Sequence, residues 1–345
     1  MRDRARPAAG RRLPFPVLLG GLLLLLIAAA LAALCMGQYR VPVRDVVSIL
    51  LSPLGLGSTG WTETMYRVVM LNRFPRVCSA VLVGAALALA GTTYQGVFRN
   101  PLVSPDILGV SSGACVGAAL SILLGLGYFG NVALAFLGGL LAVSLAMLIP
   151  HLLNRRSTIT LVLSGVVVGG FFSSALGLLK YLADPDTQLA EITYWQLGSL
   201  AKVRSASLGV LVPVLLASGL AVLLLRWRIN VISLGDRDAQ MLGVELYRER
   251  GILVMAATLL TAASVCLSGT ISWIGLVMPH LARMLTGQDN QKVIPVAAAL
   301  SALFLLVVDT AARNLTGAEI PLSIITGFLG TPFFALVLVR QKKEF

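Results

Sequence analysis

Residues 107–150 contain no Asp, Glu, Lys or Arg, and neither do 77–98, 158–179, 206–225, 251–279, 293–308 or 321–339. A helix of about 20 apolar residues crosses the ~30 Å hydrocarbon core of a bilayer with every backbone group bonded inside the segment. Charged residues make up only 12% of the chain and hydrophobic ones 57%, whereas soluble domains carry about 25% charged residues. The pattern predicts an all-α polytopic membrane protein. Its spans lie near 14–36, 77–97, 105–126, 131–150, 158–179, 206–225, 251–268, 271–283, 293–312 and 321–339. These ten transmembrane helices are expected to pack as a compact bundle, one transmembrane domain over 1–345. The segment 271–283 covers only about 20 Å at ~1.5 Å per residue, so it is expected to be short or partly re-entrant.

Lys and Arg set the expected orientation. With the N-terminus inside, the inside segments hold 18 of the 27 basic residues. They are the basic N-terminal segment 1–13, Arg99, Arg155, Arg156, five residues in 226–250, Arg283, Lys292 and three in the tail. The bias predicts that both termini are cytoplasmic. The formal charge of +12 is then mainly a topology signal. The basic residues are scattered over loops and form no stripe, so no nucleic-acid partner is expected. The first apolar stretch exceeds the ~7–15 residues of a signal-peptide core, and Leu34 stands before Cys35 where lipoprotein cleavage wants a small residue, so the first span is expected to stay uncleaved.

The chemistry missing from the spans narrows the function. A proton relay needs ionisable groups at bilayer depth. An intramembrane enzyme needs a nucleophile with a base, or paired carboxylates. Neither is present. Cys35, Cys78, Cys115 and Cys266 lack metal-ligand spacing, and His151 and His280 are too few for a haem or metal site, so no metal or chain-bound cofactor is expected. No G-x-x-x-x-G-K-[ST] loop occurs, so the chain has no phosphate cradle for ATP. A sodium site built from hydroxyls and carbonyls stays open. Otherwise, uphill movement must draw its energy from another chain.

Two polar interruptions stand out. RWRINVISLGDRDAQMLGVELYRER, 226–250, is the longest inside connection. Within it Asp236 reads as the N-cap of a short helix closed by Gly243, either a solvated loop helix or a docking helix for a cytoplasmic partner. FRNPLVSPDILGV, 98–110, reads as a connection, because prolines at 101 and 105 stop helices and bias the residues before them away from helical backbone. The 34 glycines lie largely within spans, where small residues let helix backbones approach closely.

Four stretches together resemble the permease subunits of BtuC/FecCD-type ABC importers, which take up ferric siderophores, haem or cobalamin. They are NRFPRVCSAVLVGAALALAGTTYQGVFRNPLVSPDILGVSSGA (72–114), LGDRDAQMLGV (234–244), GTISWIGLVMPHLAR (269–283) and VDTAARNLTGAEIPLSIITGFLGTPFF (308–334). The resemblance implies an ATP-driven importer subunit in a bacterial cytoplasmic (inner) membrane, working by alternating access with a ferric siderophore as its leading cargo. The implied partners are a second permease subunit, two cytoplasmic P-loop ATPases that hold ATP and Mg, and an extracytoplasmic substrate-binding protein.

The same resemblance places functional residues. Arg73, Arg76 and Arg313 match outer sockets for acidic residues of the binding protein, a task that suits a planar, permanently charged guanidinium. The competing reading pairs Arg313 with Asp309 one turn earlier and Arg73 with lipid headgroups. Leu234, Gly235, Asp236, Ala239, Leu242 and Gly243 match the segment that couples to the ATPase, with small and apolar residues entering a groove. Asn100, Pro101 and Leu102 match a loop that narrows the inner mouth, and Thr158 matches a second constriction. In that loop Asn100 offers a polar tip and Leu102 an apolar plug.

Overall fold

The computed structural model describes residues 13–55, 60–153, 157–315 and 319–341. Most of the basic N-terminal segment, Arg155, Arg156 and the tail lysines, which carry part of the orientation argument, lie outside the described residues. Among the described residues every regular element is helical. The order is α1 (Phe15–Cys35), α2 (Val43–Leu51), α3 (Glu63–Tyr66), α4 (Phe74–Phe98), α5 (Val110–Leu123), α6 (Gly127–Leu152), α7 (Thr158–Leu182) and α8 (Gln188–Leu197). It continues with α9 (Ser205–Leu234), α10 (Asp236–Met241), α11 (Leu246–Ser268), α12 (Ile274–Thr286), α13 (Asn290–Leu315) and α14 (Leu322–Gln341). A π-helical turn, Arg67–Arg73, joins α3 to α4.

Each of the ten predicted spans falls on a helix: α1, α4, α5, α6, α7, α9, α11, α12, α13 and α14. Among the described residues, seven helical stretches are long and apolar enough to cross a membrane, while α5 and α14 are shorter apolar helices. The 13 residues of α12 reach about 20 Å, as the short charge-free run implied. The helix follows an irregular turn, 269–273, in which Trp273 adopts a positive φ of 71°.

α4 is the axis of the bundle. Nearly all its residues from Pro75 to Phe98 are buried, and it packs against α13, α11, α9 and α12. The sequence allows this because α4 is built from Ala and Gly on several faces at once. A Cβ on Gly91 would lie 1.8 Å from the Gly275 carbonyl oxygen, and one on Gly84 would lie 2.6 Å from that of Ser301. The backbones of α12 and α13 therefore touch α4 directly. α5 and α6 meet in the same way through Gly113, Gly117 and Gly138. Buried hydroxyls bond within this apolar interior: Tyr94 to Thr258 at 2.8 Å, and Ser301 Oγ to the Gly84 carbonyl at 2.6 Å. α1 lies at the periphery along α13, with only Ala33 and Leu34 buried.

Two sequence expectations change. The connection 226–250 is much shorter than its charge pattern implied, because α9 runs on through RWRINVISL to Leu234 and α11 begins at Leu246. No helix breaker stands before Gly235, so polarity ended the apolar run without ending the helix. The span expected from residue 105 becomes helical only at Val110, after a 3₁₀ turn over Pro105–Leu108 and a left-handed Gly109.

Candidate functional site

Polar side chains gather at the two ends of the bundle. At the end where α4 begins, Arg76 Nε donates to both carboxylate oxygens of Asp309 at 3.0 Å, and its Nη1 donates to Glu319 at 2.7 Å. Asp309 is fully buried and Arg76 is 9% exposed. Arg73 is also buried and donates to three carbonyls beyond and within the last turn of α1: Leu34 at 2.7 Å, Cys35 at 3.2 Å and Tyr39 at 2.5 Å. Arg313 donates to the Ala33 carbonyl, and its Nε is buried with no hydrogen-bond partner. The last carbonyls of a helix have no partner within it and carry the negative end of its dipole. Arg73 and Arg313 supply both the donors and the charge that α1 needs.

The structure thus brings all three arginines together, though not as three free outward sockets. Each is bonded inside the chain, and the accessible partner is Glu319, whose side chain is 38% exposed. The alternative pairings change as well. Asp309 bonds to Arg76 on a distant helix, and Arg73 bonds to protein carbonyls. Glu319 is a member of the cluster that local spacing did not single out.

At the opposite end, α4 closes with Arg99 at φ 53°, ψ 35°, in left-handed backbone. The loop that follows is tied down. Asn100 Oδ1 accepts from the Leu102 N–H at 2.9 Å, and Gln95 Nε2 donates to the Val103 carbonyl at 3.3 Å. Asn100 thus also braces its own turn, and Asn100, Pro101 and Leu102 are all exposed. Pro105 packs onto Gly275 beside the Leu87 carbonyl, so the chain has climbed back along α4 by that point. Arg283 from α12 donates to Gln95 Oε1, a link across 188 residues that no local spacing could reveal.

The connection between α9 and α11 sits at this end. Gly235 has φ 130° and opens α10 as its N-cap, and no side chain caps the helix. Asp236 is thus the first helical residue and not the cap. Its carboxylate is used elsewhere, 2.9 Å from Arg250 and 3.3 Å from Arg99. Gly243, at φ 77°, closes α10 as expected. Ala239 is fully buried, because α10 turns this small residue toward the bundle, which corrects its assignment to a partner's groove. The apolar side chains left outside are Leu234 (62% exposed), Met241 (78%) and Leu242 (61%). Met241 was not among the expected coupling residues.

Thr158 is the first residue of α7, after Ser157, whose Oγ caps the helix by accepting from the Thr160 N–H at 3.1 Å. It lines a cavity of about 1090 Å³ between α6, α7, α9 and α11, together with His151, Asp236, Glu245, Arg248 and Met255. Asn100, Pro101 and Leu102 do not line that cavity. The cavity thus groups Thr158 with the α10 region, and the 100–102 loop lies outside its lining.

Comparison with known proteins agrees with this architecture. The family model described as the FecCD transport family matches residues 14–340. The molybdate import system permease MolB of Haemophilus influenzae is 37% identical over 330 residues, covering 95% of this chain and 97% of that protein. The hemin transport system permease HmuU of Yersinia pestis is 35% identical over 335 residues, again covering 95% and 97%. Among solved structures, a metal-chelate type ABC transporter in an inward-facing conformation superposes with a TM-score of 0.84 at 34% identity, covering 94% of this chain and 99% of the other.

Proposed function

The chain belongs to the FecCD transport family of ABC importer permeases, and on that premise we propose that it is the transmembrane subunit of a metal-chelate importer whose cargo is a ferric siderophore. The observation that carries the reading is the exposed apolar trio Leu234, Met241 and Leu242 around α10, in a chain with no phosphate-binding loop of its own. Those side chains suit a groove on a separate P-loop ATPase, which holds ATP and Mg and turns over in the cytoplasm. The chain then sits in the bacterial inner membrane with both termini inside. A second permease subunit completes the pathway, and an extracytoplasmic binding protein delivers cargo at the Arg76–Glu319 end. An acidic residue of that protein takes the accessible position that Glu319 holds on Arg76, which suits the geometry of the guanidinium fork. At the inner end the 100–102 loop and Thr158 act as the gate, and alternating access moves the chelate past them.

A chelate cargo is favoured because the hemin permease and the metal-chelate transporter both resemble this chain closely. Molybdate is the second reading, supported by the 37% identity to a molybdate permease. Purification in mild detergent followed by mass spectrometry tests the assembly: a P-loop ATPase at equal stoichiometry supports it. Reconstitution with the binding protein tests the cargo, by accumulation of a radiolabelled ferric siderophore against radiolabelled molybdate. A chain that purifies alone and still transports would overturn the importer reading.

A further inference from the structure

Asp236 opens α10, yet its carboxylate does not cap that helix. One oxygen, Oδ1, receives two guanidinium groups: Arg250 from α11 at 2.9 Å and Arg99 from the end of α4 at 3.3 Å. Arg99 directly precedes the loop Asn100–Leu102, and its own backbone is fixed, its N–H bonding to Gly96 at 3.3 Å while that of Asn100 bonds to Gln95 at 3.1 Å. The two partners differ in accessibility. The Arg250 side chain is 14% exposed, whereas those of Arg99 and Asp236 are 41% and 51% exposed.

A second observation concerns the backbone. Arg99 is one of two non-glycine residues with positive φ among the described residues. Left-handed backbone is unfavourable for a residue with a Cβ, and here it is the left-handed cap that ends α4, closed by the N–H groups of Arg99 and Asn100 on the carbonyls of Gly96 and Gln95. Here the left-handed turn brings the Arg99 side chain to α10: a Cβ on Gly235 would lie 3.5 Å from Arg99 Nη1. An exposed ion pair contributes little to stability, so the contact between Arg99 and Asp236 adds little to holding the fold.

We infer that Arg99, Asp236 and Arg250 form a relay that transmits displacement of α10 to the 100–102 loop. Arg250 holds the carboxylate in register with α11, and Arg99 carries the movement to the loop as the breakable member. Arg99, Asp236 and Arg250 act here as positioning residues. The inference rests on the reading of α10 as the ATPase-docking segment and of 100–102 as the gate. It adds that the two are joined through one carboxylate oxygen, not only through the rigid body of the bundle.

The test uses the complete complex with its ATPase in proteoliposomes, carrying Leu102→Cys on a Cys35→Ser, Cys78→Ser background. A membrane-impermeant maleimide reports loop accessibility with and without vanadate-trapped ATP. The parent complex is expected to show a nucleotide-dependent change in labelling. Arg99→Gln and Asp236→Asn should each shrink that change by up to about fivefold, the ceiling for an exposed ion pair. The double variant should be no worse than either single, and Arg99→Lys should retain most of the change. Unaltered single variants, or effects that add in the double, would overturn the relay while leaving the docking and gate reading intact. A parent complex whose labelling ignores nucleotide would overturn the gate reading, and the relay with it.

Discussion

Arg76 and Asp309 stand 233 residues apart in sequence, and the Arg76 Nε donates to both oxygens of the Asp309 carboxylate at 3.0 Å. The pair fastens the start of α4, the axis of the bundle, to the far part of α13. Asp309 is fully buried, so it depends on this partner for compensation. Arg76→Met should therefore destabilise the protein by about 3–5 kcal/mol, because a buried carboxylate left unpaired is costly. Arg76→Met combined with Asp309→Leu should cost clearly less than the single change, since no charge is then stranded. Glu319→Gln, at an accessible position, should stay within about 1 kcal/mol. Thermal unfolding in detergent orders the three, and a double variant less stable than Arg76→Met would contradict the account.

Arg73 gives a different prediction, because its partners are carbonyls. It holds the C-terminal turn of α1 at Leu34 and Cys35, and the following chain at Tyr39. Arg73→Gln should loosen that end of α1, at a cost of about 2 kcal/mol or more for bonds to a charged donor. Arg73→Lys should rescue only partly, since a compact ammonium cannot reproduce the planar fork. Cys35 is a half-buried free thiol beside the contact. Maleimide labelling of Cys35 should therefore speed up in Arg73→Gln, with Cys78→Ser removing the other half-buried thiol. Unchanged labelling would mean that packing on α13 and the Arg313 bond to Ala33 hold α1 without help from Arg73.

These two arginines also show what the sequence could and could not disclose. The ten helices were legible because charge-free runs of the right length admit few other structures in a bilayer. The overrun of α9 to Leu234 was not, because polarity marks the edge of an apolar run while helix ends need a breaker, and none comes before Gly235. Arg73, Arg76 and Arg313 were legible as a set through the family resemblance. Their acceptors were hidden, because spacing reveals partners one turn away and not those on a helix 233 residues distant. Ala239 and Met241 illustrate the same limit on a small scale. A six-residue helix has too few turns for its pattern to say which face is buried, so the residue expected to meet the ATPase points inward.

The exposed side chains around α10 make the docking proposal testable residue by residue. Met241→Ser with Leu242→Ser should reduce copurification of the ATPase and leave the bundle folded, since both side chains lie outside it. Ala239→Leu should behave differently. Overfilling a buried site typically costs about 1–3 kcal/mol, so this variant should lose thermal stability first and ATPase association only as a consequence. If Met241 and Leu242 can both be made polar without loss of the ATPase, the docking surface lies elsewhere on this end.

Close approach of α4 and α12 rests on Gly91. A Cβ added there would meet the Gly275 carbonyl oxygen at 1.8 Å and its carbon at 2.7 Å, both backbone atoms that no rotamer change can move. Gly91→Ala must push two helices apart along an interface that also places Pro105 against Gly275. The cost should reach or exceed the roughly 1–3 kcal/mol of ordinary overpacking. Gly177 in α7 is the matched control, with no heavy atom within 4 Å of its added Cβ. Gly177→Ala should be neutral or should stabilise the helix by up to about 1 kcal/mol, the ordinary advantage of Ala over Gly in a helix interior. The comparison separates a general glycine effect from a packing effect, because both residues lie within helices and only one touches a neighbouring backbone. Equal thermal stabilities for the two variants would show that α4 and α12 can separate freely, and the 3₁₀ turn at Pro105–Leu108 would lose its support from α12.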